Sequence, residues 1–317
     1  MKSPRDVFGE VLIELGKKDE RIVVLNGDLA TSTKTIHFQK KFPKRHFNMG
    51  ICEQHMMSVA GGMASEGFVP IVSTFAVFAA GRAYDQIRQC IAYPRNNVKI
   101  MATHPGLAVG ADGATHQALE DIALMRALPN MTVLAPSDEI ETRQAIEKAV
   151  AWNGPVYIRI GRAELPRIQD QSYCFEIGKG SLVKEGRDVT IVSHGIMTWH
   201  AIESAKLLAK EGIEAEVISM AAIKPLDKEI ILQSAKKTKA VMTLEDHSIY
   251  GGLGSAVAEA VTTTHPVWMD IMGVEDAFGQ SGTVEELFGH YGLDRNTVVK
   301  RIKKLLVKKG KIGTENL

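Results

Sequence analysis

Polar side chains suited to acid–base chemistry follow several predicted strands of this chain. They are two imidazoles and three carboxylates, Asp28, Glu53, His104, Asp112 and His116. A single one of them would be explained as a helix cap or an ordinary loop residue. Parallel α/β sheets, however, bind ligands at the carboxyl ends of their strands, and five such residues in equivalent loops favour a shared site. The sequence therefore predicts a ligand site built from carboxylates and imidazoles.

Glu53 begins a small-residue, apolar helix in the stretch NMGICEQHMMSVAGGMA, residues 48–64. No lysine or arginine stands near it in the sequence, so we expect an acid without a charged partner. A buried, unpaired carboxylate is costly and tends to have a displaced pKa. Either this end of the helix is exposed to solvent and Glu53 has no functional role, or the ligand site requires a buried acid.

The stretch GLAVGADGATHQ, residues 106–117, is the sharpest local signal. Its three glycines permit backbone conformations closed to other residues and let a ligand approach the chain. It is no Walker loop, because no Lys-Ser/Thr follows and Asp112 would repel a phosphate. A carboxylate acceptor beside two imidazoles suits hydroxyl groups, which points to a polyol or a sugar.

Alternating β-branched runs and amphipathic helices must position these residues. This alternation predicts an α/β protein with mainly parallel, doubly wound sheets. A less periodic segment, residues 166–186, is expected to be a linker. It would separate a first domain, residues 1–165, from a smaller second domain, residues 187–317.

Composition excludes several classes of function. The chain has 317 residues, with 38 Lys+Arg against 37 Asp+Glu, and this balance argues against a nucleic-acid or membrane partner. Its three cysteines form no disulfide or zinc pattern, and we find no signal peptide or membrane-spanning run, so we expect a cytoplasmic protein. The basic run at residues 300–313 has apolar residues at helical spacing, which predicts a solvated amphipathic last helix.

Motifs along nearly the whole chain resemble the transketolase family of thiamine-diphosphate enzymes. In chain order they are NGDLATS, NMGICEQH, STFAVFAAGRAYDQIR, MATHPGLAVGADGATHQ, LPNMTVLAPSD and RIGRAELP. The resemblance covers only the second half of a complete transketolase. It implies two three-layer α/β domains: a pyrimidine-binding domain, residues 1–165, and a transketolase C-terminal domain, residues 187–317.

The resemblance implies cofactor contacts for four residues. The family glutamate that matches Glu53 bonds N1′ of the cofactor's aminopyrimidine and favours the tautomer that deprotonates thiazolium C2. An acid in an apolar pocket keeps its proton more readily, which agrees with that role. Phe75 and Phe78 match aromatics that pack on the pyrimidine, and Asp28 matches an aspartate near the thiazolium.

The resemblance also implies substrate contacts. His104, Asp112 and His116 match residues that bind ketose hydroxyls, and the two histidines match groups that assist proton transfer. The phosphate of the sugar would meet Arg162, Ser32 and Arg5, a guanidinium being well suited to a bidentate oxyanion contact.

The chain departs from the family pattern in its missing diphosphate motif. Complete transketolases carry Gly-Asp-Gly followed some 25–30 residues later by Asn, and this pattern is absent here. We therefore expect no metal ligand on this chain. An N-terminal subunit should supply the Mg²⁺ and diphosphate site, in an α₂β₂ heterotetramer.

The expected function is that of the C-terminal subunit of a split transketolase, which moves a two-carbon ketol unit between sugar phosphates. Cys52 stands where transketolases usually have arginine, and the AYDQ and EQH motifs are more similar to deoxyxylulose-phosphate synthase and 2-oxoacid dehydrogenase beta chains. These two enzymes are the alternatives within the superfamily. A non-catalytic assembly subunit is the alternative from another class.

Overall fold

Two β-sheets organise the chain, in a computed structural model that describes residues 2–310. The strands are β1 (Ile22–Asn26), β2 (His46–Asn48), β3 (Val69–Phe75), β4 (Lys99–Thr103), β5 (Thr132–Leu134), β6 (Val156–Ile160), β7 (Ser181–Lys184), β8 (Val189–Ser193), β9 (Ala215–Ser219), β10 (Ala222–Lys224), β11 (Ala240–Ser248) and β12 (Trp268–Val274). The first sheet has the order β10-β5-β6-β4-β3-β1-β2, and the second β12-β11-β8-β9-β7. All neighbours are parallel except the β10/β5 and β7/β9 pairs.

Helices cover both faces of each sheet. They are α1 (Pro4–Lys18), α2 (Ala30–Thr33), α3 (Ile36–Lys41), α4 (Glu53–Ser65), α5 (Tyr84–Gln86), α6 (Asp121–Ala127), α7 (Glu139–Ala151), α8 (Ile196–Lys210), α9 (Lys228–Thr238), α10 (Leu253–Thr262), α11 (Val284–His290) and α12 (Arg295–Lys308). On the first sheet, α1, α3 and α7 bury one face, while α4, α6 and two π-helical segments, Phe78–Arg82 and Ile87–Ala92, bury the other. On the second sheet, α8, α11 and α12 lie opposite α9 and α10.

The burial of the strands explains their sequence. Every residue of β1, β3, β4, β6 and β8 is buried, as expected for parallel strands covered by helices on both faces. Such strands show continuous apolar runs rather than alternation, and IVVLN in β1 is one example. The mainly parallel α/β fold predicted from the sequence is confirmed.

Two strands belong to sheets that the predicted domain division does not assign to them. The expected linker, residues 166–186, contains β7, which pairs with β9 of the second sheet. The β10 strand lies well inside the expected second domain, yet it pairs with β5 and extends the first sheet. Each half of the chain is therefore tied to the other through backbone hydrogen bonds, and the boundaries at 165 and 187 stay a prediction.

The last helix has the predicted amphipathic pattern. In α12 five apolar side chains are buried, those of Val298, Val299, Ile302, Leu305 and Leu306, and Val307 is half-buried. The rest of the basic run, residues 311–313, lies outside the described residues, as does the end of the predicted second domain. Across residues 2–310, none of the helices has the length and apolarity to cross a bilayer.

Candidate active site

The predicted site residues stand at the carboxyl-end edge of the first sheet. At the end of β1, the side chain of Asn26 is fully buried and its Oδ1 accepts the backbone N–H of Leu29 at 2.7 Å. Its Nδ2 donates to the hydroxyls of Thr33 and Thr35. This network fixes the turn that carries Asp28 and the short helix α2 that carries Ser32.

Glu53 is the first residue of α4 and only 3% exposed, and it has a charged partner. The Nη1 of Arg82 lies 3.3 Å from both carboxylate oxygens. The expectation of an unpaired acid was wrong, because the partner is 29 residues away in sequence and reaches Glu53 only in the folded chain. Arg82 also stacks its guanidinium over the Phe78 ring, 4.0 Å from the centroid. The pair offsets the cost of burying the carboxylate.

Aromatic and imidazole rings form a continuous wall beside this pair. Phe75, at the end of β3, lies nearly parallel to Phe78, with centroids 5.8 Å apart. The His104 ring stacks on Phe75 at 3.9 Å. His116 meets the Phe78 ring edge-on at 5.4 Å. The two phenylalanines and two histidines singled out from the sequence thus share one cluster.

His104 is held as a neutral imidazole. It follows β4 in a left-handed conformation, φ 56°, and its ring is almost fully buried. Burial lowers the pKa of His104 to about 3, and the nearby charges of Arg5 and Arg162 act in the same direction. Because Arg5 Nη1 can only donate, the Nε2 of His104 accepts at 3.3 Å, and its Nδ1 donates to the Thr103 hydroxyl at 2.9 Å.

This charge state predicts a pH dependence of stability. Below pH 6.5 the unfolded chain protonates His104 while the folded chain does not, so the residue lowers stability as the pH falls from 6.5 towards 3. Asparagine tolerates the left-handed backbone and does not titrate. Urea unfolding should therefore show that, between pH 7 and pH 5, the free energy of unfolding falls by about 2 kcal/mol less in His104→Asn than in the parent. Identical pH profiles for the two proteins would contradict a neutral His104.

Two guanidiniums, those of Arg5 and Arg162, carry positive charge near His104. Arg5, from α1, lies 3.5 Å from the backbone carbonyl of Ser32, to which its Nη1 donates. Arg162, just after β6, donates from Nη1 to the Val109 carbonyl at 2.9 Å and to Asp112 Oδ2 at 3.2 Å. The predicted phosphate arginine and the predicted hydroxyl-binding aspartate are therefore bound to each other here.

Ring contacts and hydrogen bonds link seven of the ten predicted site residues along the sheet edge, with Arg82 joining Glu53 to Phe78; the seven are Glu53, Phe78, His116, Phe75, His104, Arg5 and Ser32. Arg162 and Asp112 form a separate pair, and the charge of Arg162 acts on His104. Asp28 stands apart from these residues, and its carboxylate accepts at 2.8 Å from Nδ2 of Asn48, the last residue of β2. Sequence reasoning missed Arg82, Asn26 and Asn48. Only Arg82 carried a usable signal, since it follows Phe78 by four residues and this spacing allows ring and guanidinium to meet on a helix.

The arrangement combines four chemical capacities. A buried carboxylate can bond a ring nitrogen, and the two phenyl rings offer an apolar surface to a planar heterocycle. The neutral imidazole of His104 and the carboxylate of Asp112 can accept hydrogen bonds from hydroxyl groups. The guanidiniums of Arg5 and Arg162 can bind an oxyanion.

Comparison with known proteins identifies the family. The family models for the transketolase pyrimidine-binding domain and the transketolase C-terminal domain match residues 2–167 and 178–298. A provisionally named transketolase C-terminal section of Methanocaldococcus jannaschii is 47% identical over 95% of each chain. A 6-deoxy-6-sulfo-D-fructose transketolase subunit of Clostridium sp. (strain MSTE9) is 40% identical over 93% of this chain and 92% of its own.

Among solved structures, a split-gene transketolase described as an inactive β4 tetramer is similar, with a TM-score of 0.88. It is 50% identical over 96% of this chain and 98% of its own. Both family domains are thus matched in order, and relatives align along almost the full length. The chain belongs to the transketolase family, whose members depend on thiamine diphosphate.

Proposed function

We propose that this chain is the C-terminal subunit of a split transketolase, which transfers a two-carbon ketol unit from a ketose phosphate to an aldose phosphate. One observation carries the proposal. The buried Glu53 lies beside the Phe75–Phe78 ring pair, and both stand next to the imidazoles of His104 and His116. A site for a heterocycle and a site for sugar hydroxyls are therefore continuous.

The residues present fit the pyrimidine end of thiamine diphosphate. Glu53 would hold a proton at N1′ of the ring, while Phe75 and Phe78 would orient the ring and Asp28 would stand towards the thiazolium. When bound, the cofactor supplies a nucleophilic carbon and an electron sink for the two-carbon unit. His116 would accept and return hydroxyl protons of the sugar. The low pKa of His104 makes it a weak base, so we assign it, with Asp112, to accepting hydroxyl hydrogen bonds instead of the proton transfer expected from the sequence.

The anionic end of the substrate would lie against the two arginines. Arg5 and Arg162 both act electrostatically on His104, so two positive charges lie near this imidazole. Ser32 stands next to Arg5. A phosphate ester satisfies such a pair through charge-assisted hydrogen bonds, and the sulfonate named for the Clostridium relative has the same charged-oxygen chemistry. We favour the phosphate; ketol transfer from 6-deoxy-6-sulfo-D-fructose, with none from xylulose 5-phosphate, would favour the sulfonate instead.

A second polypeptide should complete the cofactor site. The sequence has no Gly-Asp-Gly diphosphate motif, and within residues 2–310 no three His, Cys, Asp or Glu side chains cluster as metal ligands. We assign Mg²⁺ and the diphosphate to an N-terminal transketolase subunit, in an α₂β₂ assembly. The relative whose β4 tetramer is described as inactive supports this division of labour.

The test is reconstitution with the N-terminal subunit, thiamine diphosphate and Mg²⁺. We expect ketol transfer from xylulose 5-phosphate to ribose 5-phosphate by the mixture and by neither chain alone. Condensation of pyruvate with glyceraldehyde 3-phosphate would instead indicate a deoxyxylulose-phosphate synthase. Oxidative decarboxylation of a 2-oxoacid would indicate a dehydrogenase beta chain. Complex formation without turnover of any of these substrates would favour an assembly subunit.

A further inference from the structure

The loop that carries Asp112 and His116 is held by the second sheet. Asp246, on β11, is 2% exposed. Its Oδ1 accepts the backbone N–H of Leu107 at 2.7 Å, and its Oδ2 accepts that of Ala108 at 3.2 Å. One buried carboxylate thus satisfies two consecutive backbone donors at the start of the loop, and such charge-assisted bonds are stronger than neutral ones.

The loop backbone is shaped for this contact at Gly106. The residue has φ 70°, in the region that side chains rarely adopt, and a Cβ added there would collide with the carboxylate of Asp246. The close approach therefore needs glycine at this position. From the sequence, Gly106 was expected to leave space for a ligand. In the structure it leaves space for the Asp246 carboxylate of the second sheet.

Two further contacts anchor the loop to the same half of the chain. The Leu107 side chain is fully buried and belongs to the apolar core that α11 and α12 form with the second sheet. At the far end of the loop, Gln117 Nε2 donates to the Gly110 carbonyl at 3.2 Å and to the Gln280 carbonyl at 3.0 Å. The loop is thus a structural part of the second half, although its side chains work at the edge of the first sheet.

We propose that Asp246 is a positioning residue for the reaction, through which the C-terminal domain fixes the loop that presents Asp112 and His116 to the sugar. The inference rests on the proposed function, because that function assigns the two side chains to substrate. It gives the C-terminal domain, which contributes no predicted cofactor or substrate contact, a defined part in substrate binding. A small displacement of such a loop has large kinetic consequences, since reacting groups must meet within tenths of an ångström.

The neighbouring residue on β11 offers a matched control. Glu245 is also fully buried, and its two oxygens accept the backbone N–H groups of Leu253 and Gly254 at 2.7 and 2.8 Å. It caps α10 and bonds no residue of the loop. Glu245→Gln therefore repeats the chemical change on the same strand, away from Asp112 and His116.

The experiment compares Asp246→Asn, Asp246→Ala and Glu245→Gln by hydrogen exchange of residues 106–117 and by kinetics of the reconstituted enzyme. The asparagine variant keeps the size of the side chain but turns one acceptor into a donor that faces an N–H group. We expect loop amides to exchange at least about tenfold faster in both Asp246 variants and at the parent rate in Glu245→Gln. In both Asp246 variants the KM for the sugar should rise about tenfold, with a larger rise in Asp246→Ala than in Asp246→Asn. Their affinity for thiamine diphosphate should stay at the parent value.

Parent-like loop exchange in both Asp246 variants would overturn the inference, and so would equal effects in Glu245→Gln. A parallel loss of sugar and cofactor affinity would also overturn it, because that result indicates general destabilisation. Hydrogen exchange is measured without turnover, so it decides the contact even if the parent complex fails to transfer ketol units. That failure would overturn the proposed function and leave the exchange result standing.

Discussion

Glu53→Gln is expected to lower kcat of the reconstituted enzyme by about 10²–10⁴-fold, the usual contribution of a general acid or base. The substitution keeps the shape of the side chain but removes the charge that Arg82 pairs with and the group that would hold a proton at N1′. Glutamine cannot exchange a proton with a ring nitrogen at neutral pH. Stopped-time assays of ketol transfer at saturating sugar and cofactor measure the effect directly.

Glu66→Gln is the matched control for this prediction. Glu66 caps the other end of α4 and is exposed, so its substitution changes the same helix by the same atoms without touching the rings. It should leave kcat within about twofold, as surface substitutions rarely have large effects. Near-parent activity of Glu53→Gln would remove Glu53 from the mechanism.

Arg162→Ala is expected to raise KM for phosphorylated sugars by about 10–100-fold. Hydrogen bonds to charged groups contribute about 1.5–3 kcal/mol, which corresponds to that range. Arg162 is bound to Asp112 in the structure, but both side chains are more than a third exposed. Such exposed ion pairs contribute at most about 1 kcal/mol, so a phosphate should displace the carboxylate of Asp112 from the guanidinium.

An unphosphorylated acceptor separates the phosphate contact from general damage. With glycolaldehyde as acceptor, the KM of Arg162→Ala for that acceptor should equal the parent value, since no phosphate contact is lost. For phosphorylated sugars, the KM of Arg162→Lys should fall between the values of the parent and of Arg162→Ala, because an ammonium keeps the charge but cannot form the bidentate contact of a guanidinium. An equal rise of KM for glycolaldehyde would show that Arg162 serves the loop rather than the phosphate.

Much of the fold could be predicted because it depends on local patterns. Buried parallel strands such as IVVLN and amphipathic helices such as α12 are legible in the sequence. The edge at which ligand-binding loops gather follows from parallel topology, and the histidines and phenylalanines do meet there. The β10 strand could not be assigned to the first sheet, because nothing in three residues specifies which sheet edge they join.

The missing parts of the site depend on contacts between distant residues. The Arg82 partner of Glu53 and the Asp246 partner of Leu107 join positions 29 and 139 residues apart. Neither pairing follows from a periodic pattern or from a fixed spacing in the sequence. The neutral state of His104 depends on burial and on two arginines from other segments, which only the folded chain brings together.

Binding of thiamine diphosphate with Mg²⁺ to the chain alone and to its mixture with the N-terminal subunit tests the central claim most directly. We assign the pyrimidine end of the cofactor to this chain, and the diphosphate and Mg²⁺ to the N-terminal subunit. Because the chain alone would lack the diphosphate site, calorimetry should detect no tight binding to it. The mixture should bind, and Glu53→Gln should weaken that binding. A dissociation constant near or below about 1 μM for the chain by itself, some 8 kcal/mol of binding free energy, would contradict a site shared between two polypeptides.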